Sequence, residues 1–122
     1  MNLEELKIYN ISMEIGDEVW KMVDSWNRFE KETLGKQFVR AADSISLNIA
    51  EGYGRFHFKE ARNFCFIARG SLYETKTIIV KATSRRILQE EESEKILSRI
   101  IVLQKMLNAF INKIGSPKPN DY

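Results

Sequence analysis

Arg40-Ala-Ala-Asp-Ser-Ile-Ser-Leu-Asn-Ile-Ala-Glu-Gly-Tyr-Gly-Arg55 is the stretch on which the fold turns. With the residues just before it, Leu34, Phe38, Ala41, Ile45, Ile49 and Gly52 recur every three or four positions. That is the stripe of an amphipathic helix with one face in a core. At about 100° per residue, Arg40, Ser44, Asn48, Glu51 and Arg55 form a second, polar column bordering the stripe. Glu51 is placed to pair with Arg55 or Arg40 at helical spacing. Val39, Ser46, Leu47 and Ala50 fall roughly opposite the core, more apolar surface than an isolated helix bundle needs. Gly52 and Gly54 supply the stop.

Working outward, this helix is expected over about residues 33–53, with Thr33 as its N-cap. Before it, residues 3–29 carry two neighbouring stripes: Leu6, Tyr9, Met13, Gly16, Trp20 and Val23, and Ile15, Val19, Met22, Trp26 and Phe29. Together they predict a first helix with a broad apolar face. A third helix is expected over about 59–86. Its stripe is Ala61, Cys65, Ala68, Leu72 and Ile79, flanked by Phe64, Ile67 and Ile78, with Lys81 and Arg85-Arg86 at its negative end. The fourth opens on the acidic run Glu90-Glu-Glu-Ser-Glu94, follows Ile96, Ile100, Leu103, Leu107, Phe110 and Ile114, and ends at Gly115. Both prolines lie in the last few residues, so nothing interrupts the middle of the 122-residue chain. Four amphipathic helices with short links predict an all-α, antiparallel up-down four-helix bundle over residues 1–115, followed by a disordered tail over 116–122.

The third helix has its own surplus. Phe66, Tyr73 and Val80 repeat every seven residues away from the core stripe, and Arg62, Arg69 and Lys76 repeat every seven beside them. One reading is a subunit interface, where aromatic and Arg side chains concentrate. The other is a nucleic-acid surface, with cations for phosphates and rings for stacking. Small residues such as Ala41, Ser44, Ala68, Gly70 and Ser71 predict a close approach of the second and third helices. Gly70 costs about 1 kcal/mol against Ala inside a helix, which close packing would offset.

The formal net charge of +2 conceals an asymmetry. Residues 1–32 hold four Lys/Arg against eight Asp/Glu, and residues 33–88 hold ten against four. The basic middle suits a nucleic-acid surface or a helix pair facing an acidic neighbour. One cysteine rules out an intrachain disulfide and fits a reducing, cytoplasmic setting. The acidic N-terminus lacks the signature of a signal peptide, and no run is long enough to span a membrane. No metal set is available, because His57 and Cys65 are single. No phosphate-binding glycine motif appears. A Cys65–His57 nucleophile pair conflicts with Cys65 on the core stripe, and Glu51 and Glu74 are better read as ion-pair partners than as paired acids. A non-enzymatic protein without cofactor is expected.

Arg40-Ala-Ala, Ser44-Ile45 and Asn48-Ile-Ala-Glu-Gly-Tyr-Gly-Arg55, followed by Phe64 and Ile67-Ala-Arg-Gly-Ser-Leu-Tyr-Glu74, resemble the signature of the bacterial 23S rRNA intervening sequence proteins. The likeness covers nearly the whole chain. It departs at Ser46-Leu47, where Pro-Ser is common, and at Tyr9, where Trp is common. The resemblance implies a structural role for Arg40, Ser44, Asn48, Glu51, Gly52, Gly70, Ser71 and Glu74. It also implies a four-helix bundle in a ring-like homopentamer, a use for the spare apolar groups Val39, Leu47, Ala50, Phe66, Tyr73 and Val80. A related branch, the accessory variability proteins of diversity-generating retroelements, consists of basic pentamers that bind nucleic acid and a reverse transcriptase. On these grounds the expected function is a homo-oligomeric bundle binding RNA or DNA through Arg55, Lys59, Arg62, Arg69 and Lys76. The alternative is an adaptor or scaffold whose partner is another protein.

Overall fold

The computed structural model describes residues 2–115. A short 3-10 turn, Leu3–Glu5, leads into α1, Lys7–Asp24. The second helix, α2, has three consecutive parts: a turn Arg28–Glu30, a π-helical turn Lys31–Gly35 and a long run Lys36–Tyr53. Helix α3 spans Phe58–Ser84 and α4 spans Glu90–Lys113. Among the described residues there is no strand. Short links join successive helices, and contacts run α1–α2, α2–α3, α3–α4 and α4–α1. That closed circuit is the up-down four-helix bundle expected from the sequence. The tail expected over 116–122 lies outside the described residues.

The core follows the stripes in α2 and α4 closely. Leu34, Phe38, Ala41, Ile45, Ile49 and Gly52 are all buried, and so are Ile96, Ile100, Leu103 and Leu107. Phe38 stacks on Trp26, with ring centroids 5.8 Å apart. Each large side chain taken fully out of water contributes about 1.5–3 kcal/mol.

Elsewhere the stripes need correction. In α1 the inward line is Ile8, Ser12, Ile15, Gly16, Val19 and Val23. Met13 and Trp20 face outward, Trp20 being 63% exposed. Two adjacent apolar stripes made a face wider than the core, and periodicity alone does not say which edge stays outside. Phe29 does not belong to α1 and is 75% exposed. Ile67 on α3, expected beside the core, is also exposed, while the buried line there continues through Thr75 and Ala82.

The N-cap of α2 is Asn27, not Thr33. The Glu30 amide donates to Asn27 Oδ1 at 2.9 Å, and the Asn27 amide donates to Glu30 Oε1 at 3.2 Å. This reciprocal box satisfies two amides that a helix start otherwise leaves bare. Thr33 lies a turn further in, with its hydroxyl donating back to the Phe29 carbonyl at 2.7 Å. Helix α3 stops at Ser84, before Arg85-Arg86. The Ile87 amide reaches the Ala82 carbonyl and the Arg86 amide reaches that of Thr83. This is a Schellman closure, with Arg86 at φ 61° where glycine is usual.

Candidate nucleic-acid interface

The polar column of α2 is a hydrogen-bonded ladder toward α3. Ser71 Oγ donates to Ser44 Oγ at 2.9 Å, and Asn48 Nδ2 donates to the Ser44 carbonyl and hydroxyl at 2.8 and 2.9 Å. Thr75 Oγ1 donates to the Ser71 carbonyl at 2.8 Å. Of these bonds Ser71–Ser44 crosses between α2 and α3, in keeping with the close approach expected of the small residues. At the far end a Cβ on Gly52 would meet the Ala61 carbonyl oxygen and Phe64 Cβ, each at 3.0 Å. Gly70 is different. It is exposed, and a Cβ there would meet nothing within 4 Å, so the packing role expected of it within the bundle is absent.

The five expected nucleic-acid contacts are placed unequally. Arg55 pairs with Glu51 at 2.5 Å, and its guanidinium stands 4.8 Å from the Phe64 ring centroid. Arg62 turns across to α4 and donates to the Ile114 carbonyl, with its Nε buried. Arg69 donates to Asn108 Oδ1 at 3.2 Å and lies over the Phe66 ring. Lys59 is exposed and Lys76 half-buried. Two of the five cations are therefore held along the α3–α4 boundary by partners in the same chain.

The spare apolar groups are likewise divided. Leu47 is 67% exposed on α2, whereas Val39 and Ala50 are half-buried and Ser46, placed outside with them, is buried. Phe66, Tyr73 and Val80 are exposed on α3, with the Tyr73 hydroxyl accepting from Gln104 Nε2 of α4 at 3.3 Å. A second apolar feature lies on the α1–α2 side, a recess of about 400 Å³ lined by Trp20, Val23 and Val39 and rimmed by Lys36 and Arg40.

Sequence reasoning missed a basic groove on the α2–α3 side. Lys36 and Arg40 on α2 and Lys81 and Arg85 near the end of α3 line it, with Phe29 at one mouth. Its two lobes, about 660 and 440 Å³, share Leu34, Gln37 and Arg85. The available signal was a pair of i,i+4 cations on each of two adjacent helices. The helix dipole by itself explains Lys81 and Arg85, which masks their part in the groove.

Cys65 and His57 differ in exposure. Cys65 is buried, and burial pushes its thiol up to about 11, so it is not a thiolate at neutral pH. His57 is on the surface as the residue preceding α3, its ring edge-on to Phe56. Glu51 lies beside Arg55, while Glu74 lies in the groove beside Gln37, so the two acids sit at different ends of the helix pair. Burial, and then the charge of Asp17, raise the Asp43 carboxyl above its ordinary 3.8. Among the described residues no group of three or more His, Cys, Asp or Glu is placed to hold a metal ion. No described helix is long and apolar enough to cross a membrane.

The up-down four-helix bundle is a frame that this chain shares with known proteins. The model of the 23S rRNA-intervening sequence proteins matches residues 4–109. The chain belongs to that family. A crystal structure from Bacteroides thetaiotaomicron, a protein of unknown function from the S23 ribosomal protein family, has the same fold, with a TM-score of 0.79. It is 20% identical, and the match covers 87% of this intervening sequence protein and 99% of the other chain. No curated protein matches.

Proposed function

We propose that this intervening sequence protein is a non-enzymatic, cytoplasmic homo-oligomer that binds RNA or DNA through basic surface on α2 and α3. The observation that carries the assembly is the exposure of Phe66, Tyr73 and Val80 on one side and of Trp20, beside Val39, on another. Helices α1–α2 and α3–α4 lie on opposite sides of the bundle. Two different apolar faces favour a head-to-tail contact, which closes into a ring rather than a two-fold dimer. A pentamer, which the sequence resemblance implies, would be such a ring. Open space at Gly70 near Phe66 and Tyr73 leaves room for a second backbone.

The nucleic-acid part rests on the basic middle of the chain and on Lys59 and Lys76, which have room to reach phosphates. Light scattering gives the mass of the assembly, and anisotropy with labelled RNA and DNA at two salt concentrations gives the charge term. A single multimeric mass and affinity that falls steeply with salt support the reading. A monomer overturns the assembly, and salt-independent or absent binding overturns the nucleic-acid role. The adaptor reading draws on one specific observation: Arg62 and Arg69 are occupied within the chain. Protein partners that survive nuclease treatment would favour it.

A further inference from the structure

We propose that the α2–α3 groove lined by Lys36, Arg40, Lys81 and Arg85 is the seat of a single-stranded nucleic-acid segment, with Phe29 as the stacking platform for a base. The proposal rests on the nucleic-acid reading above and names a site and a ligand class for it. Four cations converge from two helices. Only two acids border the groove: Glu32, whose carboxylate is taken by Arg28 at 2.9 Å, and Glu74. The dipole of α3 accounts for Lys81 and Arg85 but not for Lys36 and Arg40, which lie more than two turns inside α2, away from either end.

The backbone at this spot is also unusual. Lys31–Gly35 is a π-helical turn, and its Thr33 and Leu34 line the groove. Such turns interrupt helices frequently at functional positions. Phe29 is 75% exposed at the groove's edge. Spaced cations beside an open aromatic ring are the elements of single-strand binding: charge follows the backbone and the ring takes a base. A duplex keeps its bases stacked and has no use for the ring. The groove leaves the α3–α4 face to another subunit, whereas Lys36 and Arg40 stand on the ridge between the groove and the Trp20 recess and border both.

The test uses the full-length protein, a fluorescein-labelled 20-nucleotide single-stranded RNA and the matching duplex. The Lys81→Gln/Arg85→Gln and Lys36→Gln/Arg40→Gln pairs are each expected to weaken single-strand binding about tenfold. Each should lower the slope of log affinity against log salt by about 1.4, two phosphate contacts' worth. Phe29→Ala should weaken single-strand binding about tenfold and leave duplex binding unchanged. The Lys95→Gln/Lys105→Gln pair on α4 removes the same charge elsewhere and should change affinity less than about twofold. Unchanged affinity in the Lys81/Arg85 pair, with wild-type protein binding normally, overturns the groove and leaves the nucleic-acid reading standing. Equal loss in the α4 pair overturns it as well, because charge alone would then suffice. An unaltered single-strand affinity in Phe29→Ala overturns the stacking platform. Failure of the wild-type protein to bind either RNA, or the same single strand and duplex made as DNA, overturns both readings.

Discussion

Gly70 and Gly52 are both helical glycines, yet their surroundings give opposite expectations. Gly70 has no atom within 4 Å of where a Cβ would stand, so Gly70→Ala should raise the stability of the isolated chain by about 1 kcal/mol, the helix-propensity difference. Gly52 faces the Ala61 carbonyl and Phe64 Cβ at 3.0 Å, and backbone cannot yield cheaply. Gly52→Ala should therefore cost about 1–3 kcal/mol despite the same propensity gain. Urea unfolding at a concentration where the chain is monomeric measures both. Asp43 offers a pH test. Its folded-state carboxyl titrates above the ordinary 3.8, because burial and Asp17 disfavour the charge. The charged form then lowers stability, an effect absent below 3.8, where both states are protonated, and complete once pH exceeds the folded value. Asp43→Asn should stabilise the protein at pH 7 and have no effect at pH 3, read as the shift in urea midpoint.

The start of α2 and the end of α4 carry the next expectations. Asn27 makes the reciprocal box with Glu30, and Asn27→Ala should cost about 1 kcal/mol in thermal or urea unfolding. Arg62 ties α3 to the Ile114 carbonyl at the last turn of α4. Arg62→Gln should lower amide-exchange protection around Phe110 to Ile114 and cost about 1.5–3 kcal/mol, the range for a hydrogen bond to a charged group. If Arg62 were chiefly a phosphate contact, exchange protection there would not change. These positions also show what the sequence made legible. The stripe from Leu34 to Gly52 was clear because its apolar residues are flanked by charged and polar ones. The entry to α2 was misplaced although Asn27 with Glu30 three residues on is a capping-box pattern, because the apolar stripe through Trp26 and Phe29 carries the first helix past it. The broad α1 face hid the outward turn of Met13 and Trp20 for a similar reason: two stripes fit one period.

At the scale of the molecule, four helices settle which apolar groups are left over, a choice open in any single helix. The seven-residue column Phe66, Tyr73 and Val80 stayed outside the core as its spacing suggested, whereas Arg62 and Arg69 beside it turned to α4, which no local pattern could anticipate. The basic groove was equally hidden, since Lys36 and Arg85 meet only once α2 and α3 are antiparallel neighbours. Exposed rings on α3 and the Trp20 recess on α1–α2 lie on opposite sides, so a substitution on either side should break the same contact. Tyr73→Glu and Trp20→Glu each remove a ring and place a carboxylate where apolar surface would be buried, so the assembly must desolvate a charge that the monomer leaves in water. Sedimentation velocity should show each variant shifted toward the monomer with its helical circular dichroism retained. In a head-to-tail ring, mixing the two variants restores one good contact per pair, because intact Trp20 faces on one chain meet intact Tyr73 faces on the other. The mixture should form dimers but no ring, since the next contact would join two damaged faces. A two-fold dimer in which each face meets its own copy would also pair in the single variants, through the undamaged face, and would show no gain on mixing.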